Sequence, residues 1–424
     1  MKAHLDHLAS RHAKTIDLTI DRVRSLYDQL FPDNWSCPVV VVAGTNGKGS
    51  VLYTMDAVYR AAGYKTARYT SPHLRDFRER LTVSGQMLPE DRWLAVFSEL
   101  HAIKASEALT FFEFITLAAL MLARAESPEV LLLEIGLGAR QDAVNVVSRD
   151  LSVITNIALD HQDWLGDTRD AIAYEKAGVV KPGVPLILGE LDAPPCIEKE
   201  ASQQGAPCFS VGRDWSYCLS IDTRSEMLFC ADGGDALSCR LPEGMQPGNI
   251  GTALMAIETL SDLLPVTEQQ KEEGIKAMRV PGRQERVMMN DTTYILDVAH
   301  NPQAVESLVD SCIPARQEGR VWCFFSALQG KDVAGMLAPF RDVNACWMLF
   351  QLEGQRALPL TELESVFDAN YQNYAYKSGD LEALWLQLHE RIKPKDVVLV
   401  FGSFQVVAAL MPYLTSGAEG ENHE

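Results

Sequence analysis

A chain of 424 residues is too long for one ordinary hydrophobic core and long enough for two. An apolar fraction of 47% with 22% charged residues marks a folded globular protein, and a net charge of −19 argues against a nucleic-acid partner, whose phosphates demand a basic surface. Nine cysteines without a C-x-x-C pair fit reduced thiols rather than a disulfide framework or a zinc site. The longest apolar stretch, Leu109 to Ala123, contains Glu113 and is too short to span a bilayer, and no signal near Met1 directs export, so a cytoplasmic protein with no membrane partner is expected.

In chain order, the apolar positions of the first thirty residues predict helix, interrupted near Thr15 to Asp17. Val39 to Ala43 then predicts a strand buried on both faces, followed by a glycine-rich turn and a helix to about Ala62. Further β-like runs fall at Thr66 to Tyr69, Val130 to Ile135, Leu151 to Ile157 and Pro185 to Leu188, with helical patterns between them. Such alternation predicts an α/β fold with a mostly parallel sheet covered by helices. From Cys208 to Cys239 the short alternating runs, broken at Gly233-Gly234, predict a small antiparallel flap, and helix returns around Ile250 to Leu264. Val280-Pro281-Gly282-Arg283 interrupts the pattern, so the first domain is assigned to residues 1–282. Runs at Tyr294 to Leu296, Val321 to Phe325, Cys346 to Phe350 and Val397 to Phe401 predict a smaller, doubly wound, Rossmann-like domain over 283–415, and 416–424 is expected to be a disordered tail.

The strongest local signal is Gly44-Thr45-Asn46-Gly47-Lys48-Gly49-Ser50 between the valine strand and a helix. Backbone N–H groups and a helix N-terminus can hold phosphate oxygens there, with Lys48 as a compact cation. Only two residues separate Gly44 from Gly47, where the common P-loop has four between its glycines, which turns the reading toward ATP-dependent amide ligases; a bare structural turn is the alternative. Tyr69-Thr70-Ser71-Pro72-His73-Leu74 follows the second strand and by itself reads as a proline turn. Leu131 to Asn145 places Glu134 in a buried strand ahead of a glycine turn, where an ionised carboxylate needs a metal or a cation. Ile157-Ala158-Leu159-Asp160-His161 ends a further strand, and Glu175-Lys176-Ala177-Gly178 lies on a helix. Taken singly, His161 reads as a packed histidine and Lys176 as a surface lysine. Parallel strands bring their C-terminal ends to one edge, so Ser50, Ser71, Glu134 and His161 are expected to converge beside the phosphate loop, and hard oxygen ligands with one imidazole point to magnesium.

With P-G-R at the boundary and L-D-V-A-H-N-P in the second domain, these segments occur in an order that resembles the dihydrofolate synthase/folylpolyglutamate synthase family, a branch of the Mur-type ligases, across nearly the whole chain. The segment His12 to Val23, with T-I-D-L, is most similar to its bacterial bifunctional branch. The resemblance implies ATP-dependent joining of L-glutamate to dihydropteroate and to the γ-carboxylate of reduced folates through an acyl phosphate. It implies that Thr45, Asn46, Gly47, Lys48, Gly49 and Ser50 hold the ATP phosphates, and that Asn249, Arg283 and Asp297 contact ATP with His300 beside the nucleotide, between domains. Ser71, Glu134 and His161 match magnesium ligands, and Lys176 matches a lysine that the family carbamylates, near a second magnesium ion. Thr110, Phe111, Phe112 and Glu113, with Gln141, Asp142 and Ala143, match the stretches that hold the dihydropteroate. Phe112 can stack on a pterin and Asp142 can accept its N–H hydrogens. Lys48, Lys176, His161 and His300 are the candidate catalytic residues, and a monomer is implied. Ala139 stands where the family usually has glycine, and Val144 where threonine is common. A ligase acting on a cell-wall nucleotide and a regulatory nucleotide-binding module without catalysis are the competing readings.

Overall fold

The computed structural model describes residues 1, 4–6, 8, 19–220, 225–313, 319–354, 356–370 and 375–415. The interruption expected near Thr15 to Asp17, most of the His12 to Val23 segment and the 416–424 tail lie outside the described residues. The chain divides into two compact units, one made of Met1–Ala158 with Asp167–Arg279, the other of Leu159–Gly166 with Val280–Glu424.

In the first unit, helix α1 (Asp21–Leu30) buries Val23, Leu26 and Tyr27. The run of four valines and an alanine forms β1 (Val39–Ala43), every residue buried, and leads into α2 (Lys48–Ala61). Then come β2 (Thr66–Tyr69), the short β3 (Leu81–Val83) and β4 (Gln86–Met87), α3 (Glu90–His101) and α4 (Phe111–Glu126). After them stand β5 (Val130–Glu134), β6 (Leu151–Ile154), α5 (Arg169–Ala177), β7 (Leu186–Leu188), α6 (Cys196–Gln203) and β8 (Cys208–Ser210). The sheet order is β4-β3-β2-β5-β1-β6-β7-β8. All pairings are parallel except β2 with β3 and β3 with β4. From β1 the chain passes to β2 on one side and, after β5, to β6 on the other. The C-terminal end of β1 is therefore a topological switch point, where open α/β sheets place their ligands.

Two sequence expectations are corrected here. Cys208 begins a parallel edge strand of the main sheet rather than the flap, which is β9 (Trp215–Leu219), β10 (Glu226–Ala231) and β11 (Leu237–Arg240) in antiparallel order β11-β10-β9. The run expected to reach Ile157 leaves the sheet after Ile154, because Thr155 and Asn156 bond to the Gly44–Asn46 turn instead. Helices α7 (Pro247–Thr259) and α8 (Glu268–Ala277) complete the unit.

The second unit contains β12 (Glu285–Met289), β13 (Thr292–Leu296), α9 (Pro302–Cys312), β14 (Val321–Phe325) and β15 (Ala345–Phe350). It continues with α10 (Leu360–Asn370), β16 (Ala375–Ser378), α11 (Leu381–His389), β17 (Val397–Phe401) and α12 (Phe404–Thr415). Its sheet runs β12-β13-β17-β14-β15-β16, parallel apart from the β12–β13 hairpin. Its core sets an aromatic cluster among aliphatic side chains. Phe340 stacks on Phe401 at 5.4 Å and meets Trp347 edge-on at 4.9 Å. Such pairs add about 0.5–1.5 kcal/mol each beyond the area they bury.

Candidate active site

The turn between β1 and α2 is fixed from beside it by the residues that follow β6. The Asn46 N–H donates to Asn156 Oδ1 at 2.8 Å, Thr45 N–H donates to Asn156 O, and the Thr155 hydroxyl donates to Asn46 O at 2.6 Å. The Thr45 hydroxyl donates to Ala158 O and accepts from Ala158 N–H, so it holds this neighbouring strand exit. Gly47 is the N-cap of α2 with φ of +85°, and a Cβ there would lie 2.2 Å from Asn249 Oδ1 on α7, so backbone hand and packing both require glycine. No side chain caps α2, which leaves its first-turn N–H groups directed toward an anion. Lys48 Nζ reaches back to Gly44 O and Thr45 O at 3.1 and 3.2 Å, and Ser50 is buried in the first turn.

Beside this turn the register pairs Val42 with Glu134, so the carboxylate at the end of β5 stands next to the loop. Glu134 Oε2 accepts from Ser71 N–H at 3.1 Å and approaches Gly49. Lys176, at the C-terminal end of α5, is 5% exposed and donates through Nζ to Gly44 O at 2.8 Å, so it is not a surface lysine. Glu134, Ser71, Lys176, Asn249 and the 44–50 turn therefore meet at one edge of the first sheet. Among the described residues no three His, Cys, Asp or Glu side chains gather in a ready-made metal cage. One buried carboxylate beside a serine and a phosphate-binding turn suits a hard divalent cation that completes its shell with phosphate oxygens and water.

The candidate acceptor-side residues are built from the same strand end. Asp142 is almost fully buried and caps the turn after β5: its Oδ2 accepts from Gly136 and Leu137 N–H at 3.0 and 2.9 Å, and Oδ1 from Val144 N–H at 2.9 Å. Burial pushes its carboxyl up to about 6, against the opposing pull of those three N–H groups and the Lys48 charge. Gly136 carries no side chain because the Phe112 ring occupies that space, with Cζ 2.4 Å from where a Cβ would stand. Phe112 opens α4, whose first turn is a capping box: Thr110 N–H and hydroxyl donate to Glu113 Oε2 at 2.7 and 2.8 Å, and Arg22 Nε–H lies 2.9 Å from both Glu113 oxygens. Glu113 thus serves backbone and Arg22, while Phe111 and Phe112 are half-buried, Gln141 is exposed and Ala143 is buried. The Arg80 guanidinium stands 5.8 Å from the Phe111 ring and donates to His73 Nδ1; burial and Arg80 hold that imidazole down at about 4.

Within the second unit, the contacts group Leu159–Gly166 with residues after 280, whereas the sequence reading kept them in the first domain. The cause is Asp160, which pairs with Lys331, His300 Nε2 at 3.3 Å and Asn301 Nδ2 at 3.5 Å. Burial raises the Asp160 carboxyl, but the His300 hydrogen bond and the charges of His300, His161 and Lys331 outweigh it and hold it well below the usual range. His161 has φ of +52° and lies 3.8 Å from Asp160 through Nε2. Asp297 accepts from Gln284 N–H at 3.0 Å and Ala299 N–H at 2.7 Å, and burial raises its carboxyl against the Arg283 charge. His300 Nδ1 is 2.9 Å from Val298 O, and the Arg283 guanidinium lies over the Phe404 ring at 5.9 Å. The sequence assigned no role to Asn156, Lys331 or Arg22, and it offered Asp160 with His161 only as a potential ligand pair. Neither Lys331 nor Arg22 carries a local signal of its partner, since each pairs with a residue distant in sequence.

A phosphate turn at the switch point of one parallel sheet, with a second α/β unit after it, defines an ATP-dependent ligase of the Mur type: residues 42–214 match the Mur ligase middle domain, and 282–404 match the Mur ligase glutamate ligase domain. The chain belongs to the dihydrofolate synthase/folylpolyglutamate synthase family. It is 36% identical to the dihydrofolate synthase/folylpolyglutamate synthase of Escherichia coli K12 over 416 residues, 98% of this chain and 96% of that protein. It superposes on Escherichia coli FolC in complex with DHPP and ADP with a TM-score of 0.90 at 36% identity, covering 98% of this chain and 97% of that one. A bifunctional folylpolyglutamate synthase/dihydrofolate synthase with Mn, AMPPNP and L-glutamate bound gives a TM-score of 0.87 at 34% identity, with 98% of each chain covered. Among the described residues no helix is long and apolar enough to cross a membrane.

Proposed function

We propose that this enzyme joins L-glutamate to dihydropteroate, forming dihydrofolate, and to the γ-carboxylate of reduced folates, forming folylpolyglutamates. The observation that carries the reading is the double use of one strand end. β5 delivers Glu134 to the phosphate loop and then runs into the Gly136–Asp142 turn, on which Phe112 is seated. Nucleotide and acceptor would thereby meet across a single turn. The relatives solved with DHPP and ADP, and with Mn, AMPPNP and L-glutamate, support the same assignment of ligands.

A carboxylate is a poor electrophile while ionised, and transfer of the γ-phosphoryl group converts it to an acyl phosphate. The first-turn N–H groups of α2 and the Lys48 ammonium hold the phosphates and offset the repulsion between them and the incoming carboxylate. The neutral amine of glutamate then attacks, and the tetrahedral intermediate expels phosphate. No enzyme nucleophile is required. Phe112 gives the pterin a stacking face, and Asp142 Oδ1, with one backbone donor, keeps room for a second. Glu134 and Ser71 would hold magnesium beside this turn, where the ion would supply charge neutralisation at the transferring phosphoryl group.

A second ion and carbamylation of Lys176 belong to the same reading. Lys176 is buried against Gly44 O, and a carbamate nitrogen still has one hydrogen for that carbonyl. Lys176→Ala is expected to be nearly inactive and partly rescued by acetate, and Lys176→Arg inactive. Mass and density at this side chain with and without bicarbonate check it, and a fully active arginine variant would remove the carbamate. A monomer in a reducing, cytoplasmic setting is also proposed, supported by nine free cysteines, and no nucleic-acid partner is assigned on the charge balance. Phosphate release that requires both glutamate and either dihydropteroate or tetrahydrofolate tests the function. Release with a cell-wall nucleotide and neither pteridine would overturn it.

A further inference from the structure

We propose that Arg22 is a positioning residue for the acceptor substrate, acting through Glu113 on the helix end that presents Phe111 and Phe112. The inference rests on the reading of the Phe112 side as the pteroate site. Arg22 lies on α1, near the end of the His12 to Val23 segment, where no role was assigned to it, yet its Nε–H is shared between both oxygens of Glu113, a carboxylate buried at the start of α4. Glu113 Oε2 also accepts Thr110 N–H and the Thr110 hydroxyl, so one carboxylate ties α1 to the cap of α4.

Without the guanidinium, a buried charge would keep only neutral donors. It would then protonate or swing toward water, and either change releases Thr110 and opens the first turn. Phe112 is in that turn, wedged over Gly136, whose N–H is held by Asp142. Displacement at Glu113 is therefore passed to the whole acceptor platform. The nucleotide turn has separate supports in Asn156, Thr155 and Asn249. The consequence is a split effect, on pteroate and not on ATP.

The test is steady-state phosphate release by the full-length enzyme with Arg22→Ala, Arg22→Lys and Arg22→Ala/Glu113→Gln, varying dihydropteroate and ATP in turn. Arg22→Ala should raise the KM for dihydropteroate about tenfold or more, as loss of a buried partner does, with the KM for ATP within about twofold. Arg22→Lys, which keeps a donor and the charge, should recover most of the loss. The double variant should be milder than the sum of its parts, because an uncharged amide needs no cation. Should Arg22→Ala fold poorly, the lysine and double variants carry the same comparison. An unchanged pteroate KM, or equal rises for both substrates without lysine rescue, overturns the assignment. A wild-type enzyme that releases no phosphate with pteroate and glutamate instead overturns the function it rests on.

Discussion

At the scale of single residues, two buried carboxylates of the first unit differ in what they can do. Glu134 accepts the Ser71 N–H and faces the turn, so its loss removes a charge where phosphoryl transfer is proposed. Glu134→Ala should lower turnover by about two to three orders of magnitude while costing about 1 kcal/mol of stability for the unpaired Ser71 N–H. Near-normal turnover at saturating magnesium would refute the assignment. Asp142 is committed to three backbone N–H groups, and burial raises its carboxyl to about 6. The sign follows from linkage: a carboxyl raised above its unfolded value of about 3.9 binds its proton more tightly in the native state, so its contribution grows as pH falls from 7 toward 4 and is lost as pH rises through 6. Relative to Asp142→Asn, which cannot ionise, the wild type should therefore gain up to about 3 kcal/mol between pH 8 and pH 4. Denaturant titrations at several pH values measure the difference, and a pH-independent gap would show an ordinary carboxyl. The amide, placing NH2 against one of the donors, should also weaken dihydropteroate use more than ATP binding.

At the scale of elements, the phosphate turn works because β1 enters it fully buried and α2 leaves it with an uncapped N-terminus. Gly47 is the hinge of that change. Gly47→Ala combines a left-handed backbone costing about 1–2 kcal/mol with a collision against Asn249, and should weaken nucleotide binding about tenfold or more. Gly49→Ala is the control for stability, since its Cβ would meet only Glu134 Oε2 at 3.8 Å. Equal destabilisation by both would mean that α-helical propensity rather than the turn sets the cost. Elements of this kind were legible in the sequence wherever burial leaves a continuous apolar run: β1, β14 and β17 fall on the expected residues, and β2 does so although Thr66 and Arg68 interrupt its apolar character. Strands of two or three residues at a sheet edge carry no such period, so β3, β4 and β8 were not readable. The alternating exposure of β12 follows a partly solvated edge and gave no run either.

At the scale of the whole molecule, the motifs announced the chemistry because each sits where a strand ends, but not the ties that place them. Asp160 with Lys331, and Arg22 with Glu113, join positions 171 and 91 residues apart, and one sequence has no local pattern for such pairs. Glu113 and Asp142 carried the residue types of ligand contacts, yet Asp142 bonds to three backbone N–H groups and Glu113 to Thr110 and Arg22. The same dispersal gives the last prediction. The proposed phosphate site in the first unit draws on Gly44–Ser50, Ser71, Glu134, Lys176 and Asn249, so an unfolded chain should have no affinity for nucleotide and metal together. Ligand that binds only the native state stabilises it by about 2.7 kcal/mol at a hundredfold excess over Kd. For a unit of this size the melting temperature should rise by about 5–10 °C with AMPPNP and manganese. Chelating the metal, or replacing Glu134 by alanine, should remove most of the metal-dependent part and leave a smaller rise from the turn and Lys48 alone. Calorimetric scans with AMPPNP, with manganese and with both decide it. A melting temperature indifferent to the combination, in protein that still releases phosphate, would place the nucleotide away from this turn.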